Sequence, residues 1–234
     1  YIIVDGGSTD GSIDIINRYH DKLAHCIVEK DDGPAHAINK GFNLASGDIV
    51  CWLNGDDVYY AGALSRVRQA FAENPHASMC FGGCDIIDEH GGEIRSSITR
   101  FKELFYPLSS RFTYQCINYI SQPSLFFRRD IVEKVGPIRQ DMAAAWDYEF
   151  ILRLWHHGPA RRIPGSPLAA FRWPEQTISG QHFRIQFLEE YDAARKDAGS
   201  FSIQAGIHFL VCWGIIGIYS AMSTLRARSG NNKQ

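Results

Sequence analysis

The chain has no excess of positive charge. Its 24 lysines and arginines stand against 26 acids, a formal charge of −2, which leaves no electrostatic reason for a nucleic-acid partner. Its six cysteines (Cys26, Cys51, Cys80, Cys84, Cys116 and Cys212) include no CxxC pair and no histidine at zinc-finger spacing. Several of them sit inside apolar runs, so they read as buried, reduced thiols of a cytosolic protein. There is no internal repeat, no low-complexity tract and no signal-peptide pattern. The first strand also lacks a lead-in. Tyr1 falls inside an apolar run with no preceding turn, so one βα unit of ~30–40 residues is expected to be missing ahead of it. What remains, 234 residues with a hydrophobic fraction of 45%, is enough for one sizeable core.

What the chain does have is acidic loops at the ends of short apolar runs. Tyr1-Ile-Ile-Val4 runs into Asp5-Gly-Gly-Ser-Thr-Asp10-Gly11, and Asp48-Ile-Val-Cys-Trp-Leu53 runs into Asn54-Gly-Asp56-Asp57. The runs are rich in β-branched residues, as strands buried on both faces are. Acids at the carboxyl ends of such strands stand where open α/β sheets bind ligands. Grouped carboxylates there suit a hard divalent cation carrying phosphate oxygens, which points to an enzyme handling a nucleotide diphosphate. An EF-hand reading of the first loop fails, because Gly11 comes one place late and Ile16 stands where the bidentate Glu belongs.

Strands and helices alternate downstream. Ile13, Ile16, Tyr19 and Leu23 recur at helical spacing, with Ser8, Thr9 and Asp10 available as caps. Residues 25–28 read as a strand, and Gly33-Pro34 opens a helix whose buried stripe is Ile38, Phe42 and Ala45. Leu64, Val67 and Phe71 mark the next helix, and residues 78–82 and 124–127 are strand-like. Asp147 to His157 reads as a helix with Phe150, Ile151, Leu154 and Trp155 on its apolar face. The order predicts an α/β fold, a mostly parallel central sheet flanked by helices. Residues 84–121 show a turn at 88–92 and a short strand near Ile94, otherwise loop or short helix.

Four segments, in order, resemble the family 2 glycosyltransferases. They are Val4-Asp-Gly-Gly-Ser-Thr-Asp-Gly-Ser12, Glu29-Lys-Asp-Asp-Gly33 with Ala37-Ile-Asn-Lys-Gly41, Ala45-Ser-Gly-Asp-Ile49 with Leu53-Asn-Gly-Asp-Asp57, and Trp146-Asp-Tyr-Glu149 with Leu152-Arg-Leu154. The resemblance implies the GT-A fold, which is Rossmann-like. It also implies transfer with inversion from a nucleotide-diphosphate sugar donor to a carbohydrate or lipid-linked acceptor.

The same resemblance assigns residues. Asp5 would accept from a ring N–H of the donor base, with Ser8 beside it in the donor site; a loop acid that caps the next helix is the alternative. Asn54-Gly-Asp56-Asp57 matches a metal motif of two acids separated by one residue, with Asn54 in place of the first acid. Asp56 is then the first ligand for Mg²⁺ or Mn²⁺, and Asp57 supports it or positions the sugar. Asp32 and Lys40 border the donor pocket; Asn39 and Lys40 read equally well as solvent-facing helix residues. Asp147 matches the catalytic base that takes the acceptor proton, kept ionised by the start of its helix, and Trp146 stands where the family usually has another acid. Gln122 falls on the acceptor side. Arg172, Trp173, Thr177 and Ser179 fall in a loop that touches diphosphate, and His182 is a further candidate metal ligand.

The C-terminus differs in kind. No residue from Ile203 to Met222 is charged, which meets the roughly 20 residues a spanning helix needs. Gln204, His208 and three glycines weaken that reading, and Arg226, Arg228 and Lys233 follow it. The chain therefore divides into a catalytic domain over 1–200, an apolar helix over 201–224 and a basic polar tail over 225–234. Residues 203–222 either span a membrane, placing the protein at the inner face of the plasma membrane, or pack on the domain or a second subunit of a cytoplasmic protein. Two other classes stay open: a sugar-nucleotide pyrophosphorylase, which lacks an acid of the Asp147 type, and a decayed, non-catalytic transferase.

Overall fold

The computed structural model describes residues 1–173 and 183–231. The chain opens with β1 (Ile2–Asp5), α1 (Ser12–Arg18), β2 (His25–Val28) and α2 (Pro34–Leu44). β1 and β2 pair in parallel and α2 packs on β1; no described strand pairs with the other edge of β1. A four-stranded sheet has the order β3 (Ile49–Val50), β7 (Leu125–Arg128), β5 (Met79–Phe81), β8 (Ala160–Arg162). A three-stranded sheet has the order β4 (Val58–Tyr59), β9 (Ala169–Arg172), β6 (Cys84–Ile87).

The α/β class is as expected, but the strands are more mixed in direction than alternation alone predicts. β1–β2, β5–β8 and β6–β9 are parallel, whereas β7 runs antiparallel to both β3 and β5, and β4 to β9. The cause lies between β6 and β7. Instead of a simple crossover, the chain folds into α4 (Ser96–Glu103) and α5 (Arg111–Cys116), then enters the sheet from the opposite end. The turn at 88–92 forms, and the strand expected near Ile94 is reduced to an isolated bridge between Ile87 and Glu93.

Side chains alternate across β5 and β7, as the pleat requires. Met79, Phe81, Leu125 and Phe127 face the larger core, while Cys80 and Phe126 face α3 (Ala63–Glu73) through Val67 and Phe71. Phe127 packs against Phe42 of α2, Trp52 and Phe150 of α7 (Trp146–Leu154), with ring centroids 5.9, 5.6 and 5.7 Å away. Asn39 is buried rather than solvent-facing. Its Nδ2 donates to the Ile138 carbonyl and its Oδ1 accepts from the Ile138 amide, both at 2.8 Å, tying α2 to the loop after α6 (Arg129–Val135).

Two long helices complete the chain: a penultimate one, Phe183–Ala198, and the C-terminal helix, Ile203–Asn231. The sequence reading did not single out the first. The C-terminal helix packs on the penultimate helix and on α5, burying Ala205, His208, Cys212 and Ile216 along one stripe. His208 Nδ1 donates to the Gln115 carbonyl at 3.0 Å, and Gln204 Nε2 to Gln115 Oε1 at 3.2 Å. The polar residues that weakened the spanning pattern are thus the ones that dock the helix. Among the described residues no helix is long and apolar enough to cross a membrane.

Candidate functional site

The loop after β1 is organised by its own acid. The Gly7 and Ser8 amides donate to Asp5 Oδ1 at 2.9 and 2.7 Å, and Ser8 Oγ donates to Oδ2 at 2.8 Å. These bonds, the Ser8 amide foremost, hold the Asp5 carboxyl below its usual range. Asp31, which the sequence reading passed over, closes the loop from the β2 side. Its Oδ2 lies 2.7 Å from where a Cβ on Gly6 would sit, so the two loops meet this closely only because residue 6 is glycine. Its neighbour Asp32 is exposed and pairs with His36 at 3.4 Å. Lys40 Nζ donates to Glu29 Oε1 at 2.6 Å, a pairing that holds the Glu29 carboxyl low.

The loop after β3 has a different division of labour. Asp57 is buried with both oxygens engaged. Oδ1 accepts from the Arg172 amide at 2.9 Å and Oδ2 from Asn54 Nδ2 at 3.1 Å. Burial still pushes its carboxyl up to about 6. Arg172 grips the same loop, with Nε donating to the Asp56 carbonyl at 2.9 Å and one terminal nitrogen to the carbonyls of Asp88 and Glu89. Its guanidinium is therefore turned to backbone carbonyls. No described residue bonds the Asp56 carboxylate, which is exposed and lines a cavity of about 940 Å³ together with Asn54. Among the described residues no three metal-ligating side chains come together. A Mg²⁺-type site fits such a loop nonetheless, because that ion is commonly held by one or two carboxylates with phosphates and water completing the shell. In that fit Asp56 is the ligand, and Asp57, expected beside it, is the anchor of the loop.

The cavity runs on to Asp147, at the start of α7. Trp146 lies tilted against Trp52, centroids 5.8 Å apart, which seats the helix start against the segment that leads from β3 to Asn54. Gln122 Nε2 pins the same segment by donating to the Trp52 carbonyl at 2.8 Å. Asp147 Oδ1 accepts from the Tyr148 amide at 2.7 Å. Burial raises the Asp147 carboxyl above its usual range, against the opposing pull of the Tyr148 amide and the Lys102 ammonium. A carboxylate made more basic in this way is a better proton acceptor.

Support comes from the penultimate helix. Glu189 accepts from three successive amides, Ala143 at 2.8 Å and Ala144 and Ala145 at 2.9 Å, holding the approach to Asp147. Glu190 next to it is buried and lines the cavity, with Oε1 accepting from Asn118 at 3.2 Å and Gln186 at 3.1 Å. Lys102 of α4 lines the cavity too, and its Nζ donates to Ser121 Oγ at 3.2 Å. Asp5, Ser8, Asp32 and Lys40 do not line it, whereas Asn54, Asp56, Gln122, Trp173 and Asp147 do. Thr177, Ser179 and His182 lie outside the described residues.

Burial pushes Glu190 up to about 7 from an ordinary 4.5. The folded state thus holds this proton more tightly than the unfolded one. The stability it confers is complete below pH 4.5 and is lost as pH rises through about 7. His208, lowered by burial, acts in the opposite sense, and a comparison with Glu190→Gln cancels it. The variant is expected to gain about 2–3 kcal/mol over the wild type between pH 5 and pH 8. Urea unfolding at the two pH values measures it; an equal difference at both would mean Glu190 is not held protonated.

The sequence model of glycosyl transferase family 2 matches residues 1–136, more than half of the chain. The chain belongs to this family. A curated relative, the PGL/p-HBAD biosynthesis glycosyltransferase of Mycobacterium bovis, is 30% identical over 153 residues, covering 63% of this chain and 55% of that protein. The chain thus spans little more than half the length of that relative. Among solved structures, residues 1–349 of S. aureus TarS in complex with UDP superpose with a TM-score of 0.61 at 14% identity, covering 88% of this chain and 58% of that one. The mannosyltransferase PcManGT from Pyrobaculum calidifontis, in complex with GDP-Man and Mn²⁺, superposes with a TM-score of 0.57 at 18% identity, covering 95% and 70%. At such identities the likeness is one of fold, the GT-A architecture. The family match takes in the Asp5 and Asn54–Asp57 loops and β7, while Asp147, Glu189 and Glu190 lie beyond its end.

Proposed function

We propose that the protein is a metal-dependent, inverting glycosyltransferase that moves a sugar from a nucleotide-diphosphate donor to an acceptor hydroxyl. The observation that carries this reading is the single cavity joining Asn54 and Asp56 to Asp147. Donor diphosphate at one end and a general base farther in are what a one-step displacement needs. The acceptor oxygen attacks the anomeric carbon and gives its proton to the Asp147 carboxylate. The bond between that carbon and the diphosphate oxygen breaks on the opposite face, and its electron pair leaves with the diphosphate. Asp56 would hold Mg²⁺ or Mn²⁺, which when bound neutralises charge on the departing group. Asp57, Arg172 and Gln122 hold the loop that presents Asp56, and Trp146 and Glu189 hold the helix start that presents Asp147. Asp5, whose loop lies against Asp31, is the proposed partner of the donor base.

A thermal-shift panel of UDP-, GDP- and dTDP-sugars tests the reading. A true donor at about 100 times its Kd stabilises the fold by about 2.7 kcal/mol, and should do so only with Mn²⁺ or Mg²⁺ present. A panel without any metal-dependent shift would favour the decayed, non-catalytic alternative.

A further inference from the structure

The wall of the cavity changes character on the far side of Asp147. The two neighbours of Asp147 show which side is which. Trp146 meets Trp52, two residues before Asn54, whereas Tyr148 meets His208 of the C-terminal helix, centroids 5.6 Å apart. Beyond Asp147 the lining therefore passes from the donor loop to that helix. There the C-terminal helix supplies Val211, Cys212 and Ile215, the penultimate helix Phe187, and α4 Ile98 and Phe101. The Cys212 thiol is already engaged with the Phe187 carbonyl at 3.2 Å. Phe101 is 49% exposed and lines the cavity, which places it at the mouth.

A site built for a free sugar surrounds it with donors and acceptors, because each hydroxyl left unpaired on burial costs binding energy. Here the polar groups gather near Asp147. Asn118 and Gln186 both point at Glu190, and Lys102 stands by Ser121. Ser97 and His208 also line this part, and the other side chains beyond Asp147 are aliphatic and aromatic. Resting on the transferase reading above, we propose that the acceptor is a hydroxyl compound carried on an apolar body, an alkyl or aryl aglycone. Its hydroxyl meets Asp147 and its apolar part lies among Ile98, Phe101, Phe187, Val211 and Ile215. The C-terminal helix then acts as a wall of the acceptor site.

The test is calorimetric titration with n-octyl β-D-glucoside below its micelle concentration, 4-nitrophenyl β-D-glucoside and free glucose, each with UDP and Mn²⁺ present. At least one glucoside should bind about tenfold or more tighter than glucose, the equivalent of burying about two methylene groups. A preference for the octyl compound alone identifies an alkyl acceptor, and for the nitrophenyl compound alone an aryl one. Ile215→Asn and Phe101→Ser should bring the preferred glucoside close to glucose while UDP affinity stays unchanged. Equal binding of all three compounds, or a preference that neither variant alters, would overturn the proposal. If Ile215→Asn fails to fold, Phe101→Ser at its half-exposed position decides. Titration of the same protein with UDP, GDP and dTDP in the presence of Mn²⁺ separates the two readings: absence of binding by all three faults the donor assignment, whereas binding of one of them without glucoside preference faults only the acceptor class.

Discussion

Asp147→Asn should lower the rate of sugar transfer by about 10²–10⁴-fold, the usual worth of a positioned general base. Asn keeps the size of the side chain and the oxygen that accepts from the Tyr148 amide, so the helix start stays in place. Only the capacity to take a proton goes. Donor and metal affinity should change little, since the contacts proposed for them belong to the loops of Asp5 and Asp56. The pH profile gives a second readout. The proposed mechanism requires Asp147 unprotonated, and burial raises that carboxyl, so the acid limb should sit above the ordinary carboxylate value of 3.8. In the variant this limb should disappear. Single-turnover transfer at saturating donor measures both, and near-normal transfer would reduce Asp147 to a helix-start acid.

Asp56→Ala should weaken Mn²⁺-dependent nucleotide binding by about 10²-fold or more, beyond the 10–100-fold that loss of an outer partner of a metal site brings. The fold should be untouched to within about 0.5 kcal/mol, as for other exposed loop positions. Asp57→Ala should behave in the opposite way. Removing the buried carboxylate leaves the Arg172 amide without its acceptor and frees Asn54, so this variant should lose about 1–3 kcal/mol of stability. Denaturant unfolding together with nucleotide titration of both variants separates ligand from anchor. Equal loss of binding in two stably folded variants would make both acids metal ligands.

These two loops were legible because their signal is local: an apolar strand, then acids at its carboxyl end. The direction of β7 was not, since it depends on how α4 and α5 return the chain to the sheet. Nor was the separation of Asp56 from Asp57, which rests on Arg172, more than a hundred residues away in the chain. Trp146 read as a missing acid, but its place against Trp52 is a packing contact that no motif records. Lys40 stands on its expected helix, and its pairing with Glu29 depends on a residue of the preceding loop. Glu189 and Glu190 escaped notice altogether. Adjacent acids are usually solvated, and only the fold shows that one faces three backbone amides and the other a cavity. Along the C-terminal helix the apolar run was plain to read. Its docking through Gln204 and His208 depends on Gln115, which lies in a segment readable only as loop or short helix.

The stereochemistry of transfer tests the central claim most directly. With an α-linked nucleotide-diphosphate sugar, an accepted acceptor and Mn²⁺, proton NMR of the first-formed product reports the configuration of the new bond before it can equilibrate. A base at Asp147 and a diphosphate leaving from the opposite face predict a β-linked product. An α-linked product would require a covalent intermediate or front-face attack, and would contradict the role given to Asp147.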